Sequence, residues 1–271
     1  MTEKMSKKIE ARTGKPRDFA ATIVGKEQLA PGIWSVSLKP EERETDPLPG
    51  QFFMIKSWET QDPFLSRPFA ASGVYADGSI EVLFRVCGRG TALLAKCKKG
   101  QPMLLRGPCG NGFPKPKSKR LILVAGAMGV APLLFARQHL QGFKDQLLLV
   151  GTTGEPEWVH FCEAIRARCP ESAFFSENGT FGEKGTVIDG LRGQVGRGDE
   201  IWACGPEGML RALGGVQASL GNSIWISMER RMACGHGGCL GCTVRTQNGP
   251  KRVCVDGPVF RWEELLWDEL S

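Results

Sequence analysis

Four cysteines near the C-terminal end constrain this chain more than any other feature. Cys234, Cys239, Cys242 and Cys254 follow the spacing C-x4-C-x2-C-x11-C. Three thiols on one loop, with a fourth arriving from further along, is the plant-type 2Fe–2S arrangement, in which four thiolates satisfy two irons. Of the six other residues between Cys234 and Cys242, four are glycine: Gly235, Gly237, Gly238 and Gly241. Glycines let a backbone wrap closely around a cluster and turn amide N–H groups toward sulfur, which raises the reduction potential. The competing reading is structural zinc, which usually presents two C-x2-C pairs or a Cys/His mixture. Here only Cys239 and Cys242 form such a pair, and His236 reads as a loop residue.

The rest of the chain must carry that loop. Its 271 residues suffice for two domains and a small module. No apolar run approaches the roughly 20 residues of a membrane span. The polar start, with Lys4, Lys7, Lys8, Arg12 and Lys15, lacks the apolar stretch of a secretory signal and reads as a basic tail over 1–17. A cytoplasmic, reducing setting is therefore expected, in which clustered cysteines bind metal or do redox chemistry. Cys87, Cys97, Cys109, Cys162 and Cys169 read as small buried or half-buried side chains. A net charge of +6, without an aromatic-interleaved basic face or a nucleic-acid motif, excludes nucleic acid as a partner.

Between the tail and the cysteines the chain changes character once. Residues 18–115 hold short apolar or alternating runs at 20–24, 34–38, 51–55, 80–86 and 102–106, punctuated by Gly and Pro, and suggest a small antiparallel barrel. A helix is expected after Thr91. A basic, proline-bearing linker at 115–120 follows. Within 116–222, runs at 121–124, 147–150, 173–176 and 200–203 alternate with helical stretches at 132–140, 159–168 and 209–219. That alternation predicts a parallel α/β sheet. The cluster module is expected over 223–271, closing in a helix near 262–270.

Two stretches suggest nucleotides. In the barrel, Arg67, Pro68, Phe69 and Ala70 lie on a strand, and Gly90 and Thr91 open a helix. Helix N-terminal amides form an anion site, and an arginine fork suits a pyrophosphate. A solvated arginine and an ordinary turn would look the same. In the second domain, Gly126 and Gly129 fall in a turn between a buried strand and a helix, suited to cradling phosphate or simply to tight packing. After the 147–150 strand no arginine cluster is present to hold a 2′-phosphate, which leans toward NAD.

The order of barrel, nucleotide domain and C-terminal cysteine loop resembles the ferredoxin-reductase superfamily. Within it, the stretch around Cys234, Cys239 and Cys242, followed by Cys254 to Phe260, is similar to the electron-transfer subunits of type B dihydroorotate dehydrogenase. The resemblance implies a β-barrel plus α/β, ferredoxin-reductase-like fold. It implies FAD on Arg67, Pro68, Phe69, Ala70, Leu83, Phe84, Arg85, Gly90 and Thr91, and NAD(H) as co-substrate near Gly126 and Gly129. Cys204, Gly205 and Pro206 fall near the nicotinamide–flavin junction, with Cys204 as the catalytic candidate. Two departures are visible: Ala70 replaces a Ser or Thr, and Ala127 stands where glycine is common. The relay so implied exchanges a hydride with NAD and passes single electrons through the cluster to a partner. That partner would be an FMN-containing dihydroorotate dehydrogenase catalytic subunit in a heterotetramer of pyrimidine biosynthesis. A related redox subunit serving a hydrogenase or an NADH:ferredoxin transhydrogenase is the alternative. Trp262, Leu265, Leu266 and Trp267 are read as packing on their own domain before serving any interface.

Overall fold

The computed structural model describes residues 15–42, 46–57 and 62–270. Most of the basic tail expected over 1–17 lies outside the described residues. Six antiparallel strands form the first unit: β1 (Arg17–Ala30), β2 (Ile33–Pro40), β3 (Phe52–Lys56), β4 (Arg67–Val74), β5 (Ile80–Arg85) and β6 (Pro102–Cys109). They close into a barrel in the order β1-β2-β5-β4-β3-β6, which leaves no free edge. Alternation explains the closure: Ile80, Val82 and Phe84 of β5 point inward with Ile23, Val36, Phe53 and Leu105, while Leu83 turns outward into a different core. Helix α1 (Arg89–Lys96) bridges β5 and β6.

A parallel sheet follows. Strands β7 (Leu121–Gly126), β8 (Gln146–Thr152), β9 (Ala173–Ser176), β10 (Glu183–Lys184), β11 (Glu200–Cys204) and β12 (Ser223–Ser227) lie in the order β10-β9-β8-β7-β11-β12. Helices α2 (Val130–His139) and α3 (Pro156–Arg168) pack one face, and α4 (Val187–Arg192) and α5 (Glu207–Leu220) pack the other. Every residue of β7 and β11 is buried, as a strand covered on both faces must be. The chain leaves β7 in one direction and returns on its far side as β11, so a topological switch point falls between them.

Beyond β12 the chain makes a long excursion before pairing with it again. A small ribbon, β13 (Thr243–Thr246) with β14 (Gly249–Arg252), belongs to this excursion. Strand β15 (Val259–Arg261) then returns antiparallel to β12, with Ser227 opposite Val259. The cysteine loop is thus carried between two neighbouring strands of the same sheet. The sheet takes in β12 and β15 from beyond residue 222, where the cluster module was expected to begin.

Several expectations need correction. The helix expected near 262–270 is instead two short 3-10 turns, Trp262–Glu264 and Trp267–Glu269. The indole N–H of Trp262 donates to the Leu210 carbonyl at 2.7 Å, and that of Trp267 to the Trp262 carbonyl at 3.0 Å. These bonds fold the segment onto α5 rather than along a helix axis. Cys87 is exposed, not buried, whereas Cys97, Cys109, Cys162 and Cys169 are buried as expected. Among the described residues no helix is long and apolar enough to cross a membrane.

Candidate functional site

A cavity of about 340 Å³ opens where barrel, sheet and cysteine segment meet. Arg67, Pro68, Phe69 and Ala70 of β4, Leu83, Phe84 and Arg85 of β5, and Thr91 of α1 all line it. Cys204 enters from the end of β11, and Met232 from two residues before the first cluster cysteine. Neighbouring β4 and β5 explain the gathering, since each contributes three or more residues at its end. Gly90 is buried but does not line the cavity. The Thr91 hydroxyl accepts the Gly88 N–H at 3.1 Å and donates to its carbonyl at 2.9 Å, fixing the first turn of α1. The volume and apolar walls with few cations suit a flat ring system. Ala70 offers the cavity a methyl, where the resemblance implies a hydroxyl. Ser72 cannot replace it, because its hydroxyl is buried and donates to Glu81 at 3.0 Å.

Cys204 is buried, and its thiol donates toward Glu229 Oε1 at 3.9 Å. Burial, then the neighbouring Glu229 carboxylate, pushes the thiol well above its usual range, so Cys204 is a neutral thiol in the cavity wall. Burial also raises the Glu229 carboxyl, against a smaller opposing bond from Cys204. Glu229 was not singled out from the sequence, because Ser223–Ser227 was not recognised as the strand that delivers it.

A second cavity, about 380 Å³, lies at the switch point, at the carboxyl ends of the parallel strands. Gly126 and Pro206 line it, with Ala127, Thr152, Thr153 and Asp189. Gly129 and Gly205 do not; they are close-approach residues. A Cβ on Gly129 would lie 2.1 Å from the Cys204 carbonyl oxygen, so only glycine lets the β7 turn lie against the β11 turn. Ala127 adopts φ +48°, a conformation that favours glycine, which explains why the turn survives the alanine only with local strain. Arg192 also reaches this cavity, paired with Asp189 at 3.5 Å. The sequence reading missed it along with the six-residue α4, although Thr186 and Asp189 form a capping box that marks the helix start.

The four cluster candidates come together in two pairs. The Cys239 N–H donates to Cys234 Sγ and the Cys254 N–H to Cys242 Sγ, each at 3.5 Å. Among the described residues, no three His, Cys, Asp or Glu side chains converge on one ion position. Two thiol pairs are the donor set that two irons require, so the residues fit a binuclear cluster. Burial would raise the Cys234 thiol, yet the amides of His236 and Cys239, the Cys239 side chain and the Gly238 amide outweigh it and bring it down to about 6. Cys254 is pushed up to about 12, by burial first and then by its neighbour Cys242. Gly237, at φ +88°, gives the loop the backbone that aims these amides inward. Arg106 of β6 holds the loop to the barrel: it donates to the Cys234 carbonyl at 2.9 Å and to both Asp18 oxygens at 2.6 and 2.7 Å. The tip of the loop faces outward, with Cys239 exposed and Leu240 61% exposed.

A closed six-stranded barrel fused to a switch-point α/β sheet defines a ferredoxin-reductase-like protein, here with a cysteine module carried on the sheet. Solved structures agree: one of an NADH-dependent reduced ferredoxin–NADP oxidoreductase, studied for flavin-based electron bifurcation, superimposes with a TM-score of 0.78 at 26% identity, over 96% of this chain and 92% of that one. The ferredoxin reductase of carbazole 1,9a-dioxygenase shares the fold at 21% identity and a TM-score of 0.65, over 78% of this chain and 68% of its own. The family described as the iron–sulfur cluster binding domain of dihydroorotate dehydrogenase B matches residues 229–266. A dihydroorotate dehydrogenase B (NAD(+)) electron transfer subunit from Caldanaerobacter subterraneus subsp. tengcongensis is 34% identical over 91% of this chain and 98% of its own length. Its counterpart from Clostridium acetobutylicum is 33% identical over 88% and 93%. The chain belongs to the family of dihydroorotate dehydrogenase B electron transfer subunits.

Proposed function

We propose that this chain carries electrons between NAD and the FMN-containing catalytic subunit of a dihydroorotate dehydrogenase, in a cytoplasmic heterotetramer of pyrimidine biosynthesis. One observation carries the reading: a single cavity is walled by the barrel, by Cys204 of the nucleotide sheet and by Met232 of the cysteine segment. Residues 18–115 would hold FAD, 116–222 NAD(H), and 223–271 a 2Fe–2S cluster. When bound, flavin interconverts hydride and single-electron chemistry, and the cluster carries single electrons.

The chain's own residues supply orientation and charge. Arg67 and the α1 N-terminus, with Thr91 at the cavity and Gly90 packed behind it, would hold pyrophosphate, while Phe69, Leu83 and Phe84 flank the ring and Arg85 adds a second cation. Gly126, Gly129, Gly205 and Pro206 shape the turn that admits the dinucleotide next to the barrel. As a neutral thiol whose donor is directed at Glu229, Cys204 would shield the junction from water. Cys234, Cys239, Cys242 and Cys254 would ligate the irons, and the exposed Leu240 side gives a partner close access.

Purified holo-protein should show flavin bands with broad iron–sulfur absorption, both bleached by NADH. Mixed with an FMN dihydroorotate dehydrogenase from the same genome, it should support NAD reduction by dihydroorotate. A colourless protein, or a coloured one that gives no such coupling, removes this reading. The likeness to the bifurcating oxidoreductase over 96% of the chain supports a second reading, a subunit serving a ferredoxin-linked complex. Reduction of ferredoxin rather than dihydroorotate-dependent turnover, with the respective partners added, would select it.

A further inference from the structure

The outer face of the barrel presents a carboxylate that the electron relay does not use. Glu81 on β5 is buried, with a side chain only 6% exposed, and it points away from the barrel core toward the nucleotide domain. Both its oxygens are occupied. Ser35 donates to Oε1 at 2.5 Å and Ser72 to Oε2 at 3.0 Å, both from neighbouring barrel strands. The third donor crosses the domain boundary: Arg168, the last residue of α3, reaches Oε1 at 2.9 Å. The same guanidinium extends its other arm to Glu27 of β1 at 3.2 Å.

The other end of α3 is tied to the same strand. Glu157, in its first turn, pairs with Arg85 at 3.2 Å, and the Arg85 guanidinium lies 5.2 Å from the Trp158 ring centroid. Beside this, the Gln138 side chain of α2 meets β4 as a strand would: it accepts the Val74 N–H at 2.9 Å and donates to the Val74 carbonyl at 2.8 Å. Gly73 leaves room for both groups, since a Cβ there would lie 3.3 Å from Gln138 Oε1 and 3.7 Å from Glu81 Oε2. Strand β5, whose Leu83, Phe84 and Arg85 form one wall of the flavin cavity, is therefore held at both ends by a helix of the nucleotide domain.

We propose that Glu81 and Arg168 are positioning residues, a buried charge latch that fixes the barrel against the nucleotide sheet and sets the separation of flavin and nicotinamide. The inference rests on the assignment of the two cavities made above. A buried carboxylate stripped of its cation is strongly unfavourable, and Arg168 stripped of Glu81 is left with the exposed Glu27 of β1 and is drawn toward it, so loss of either partner shifts the interface, whereas loss of both charges leaves a hydrogen-bonded neutral pair. Hydride transfer is steep in distance; a displacement of about 1 Å can cost on the order of a hundredfold in rate.

The test uses the full chain with flavin and cluster bound. Glu81→Gln and Arg168→Gln, singly and together, are reduced anaerobically by NADH and by 4-deuterated NADH in a stopped-flow instrument. Backbone hydrogen exchange at Val74 is followed in the same proteins. Each single variant should slow flavin reduction at least tenfold, with the deuterium isotope effect retained and flavin content unchanged, and should weaken the long-wavelength NADH–flavin charge-transfer absorbance. Exchange at Val74 should accelerate by a similar factor, and the double variant should recover most of both. Single variants that match the parent in rate and exchange overturn the latch, as does a slowed rate with Val74 exchange unchanged. Arg168→Lys keeps the charge and the fold while losing the fork that spans Glu81 and Glu27. Both readouts displaced severalfold in it support the latch, and both at parent values overturn it. A parent chain that holds no flavin, or that NADH does not reduce, instead removes the functional reading beneath it, before any variant is compared.

Discussion

Two side chains decide much of what the redox groups would experience. Arg106 places a cation against the carbonyl of Cys234, and Asp18 partly neutralises it through a two-pronged ion pair. A cation near a cluster stabilises the reduced, more negative state. Arg106→Gln should therefore lower the cluster midpoint potential and Asp18→Asn raise it, with opposite signs in a redox titration followed by electron paramagnetic resonance. A shift of the same sign in both would mean loop disorder, not electrostatics. At Ala70 the missing hydroxyl leaves the cavity one donor short; Ala70→Ser should gain about 1 kcal/mol of flavin affinity, roughly fivefold in Kd by fluorescence titration. The four cysteine candidates were legible because their spacing follows the plant-type 2Fe–2S arrangement. Arg106 was not, because its link to Cys234 spans 128 positions of sequence and no local pattern announces it.

At the scale of elements, legibility followed burial. Strands β7, β8 and β11 stood out because a strand covered on both faces is a continuous apolar run. Strand β12 and strand β15 did not, since their identity depends on pairing across the cysteine excursion. Helix α4 has only six residues, too short for helical periodicity to register. The C-terminal segment misled in the opposite way. Trp262, Leu265, Leu266 and Trp267 have near-helical spacing, yet the two indoles stack on each other, with ring centroids 5.2 Å apart, and bond into a loop. Their seat is Gly214 on α5, where an added Cβ would lie 2.4 Å from the Trp262 ring. Gly214→Val should destabilise by about 1–3 kcal/mol through overpacking, seen as a lower Tm, despite valine replacing a helix-interior glycine.

Across the whole molecule, the three functional stretches do not have three separate cores. One apolar cluster runs from Phe52 and Met54 of the barrel through Ile201 and Leu210 of the nucleotide sheet to Val244, Val253 and Cys254 of the cysteine module. Domain boundaries drawn along the sequence therefore cut through shared packing. Removing iron should loosen more than the loop: after chelation, calorimetry should show the α/β unfolding transition moving down together with loss of the cluster's visible absorption. An α/β transition that stays put would show the module packs as an independent unit.

The pairing of Ser227 with Val259 carries a consequence for how such a protein comes to exist. The chain leaves the sheet and re-enters it across a single strand-to-strand gap, which makes the cysteine module an insertion with closed ends, a graft on a hairpin. A plain turn at that place would leave all seven strands paired, while the excursion adds Glu229, Arg230 and Met232 to the wall of the first cavity. Carrying the cysteines there needs no rewiring of the sheet, only an insert whose Val244 and Val253 pack into the shared apolar cluster. Exchange of that one graft between such chains would change the electron outlet while leaving the strand order of the sheet as it is.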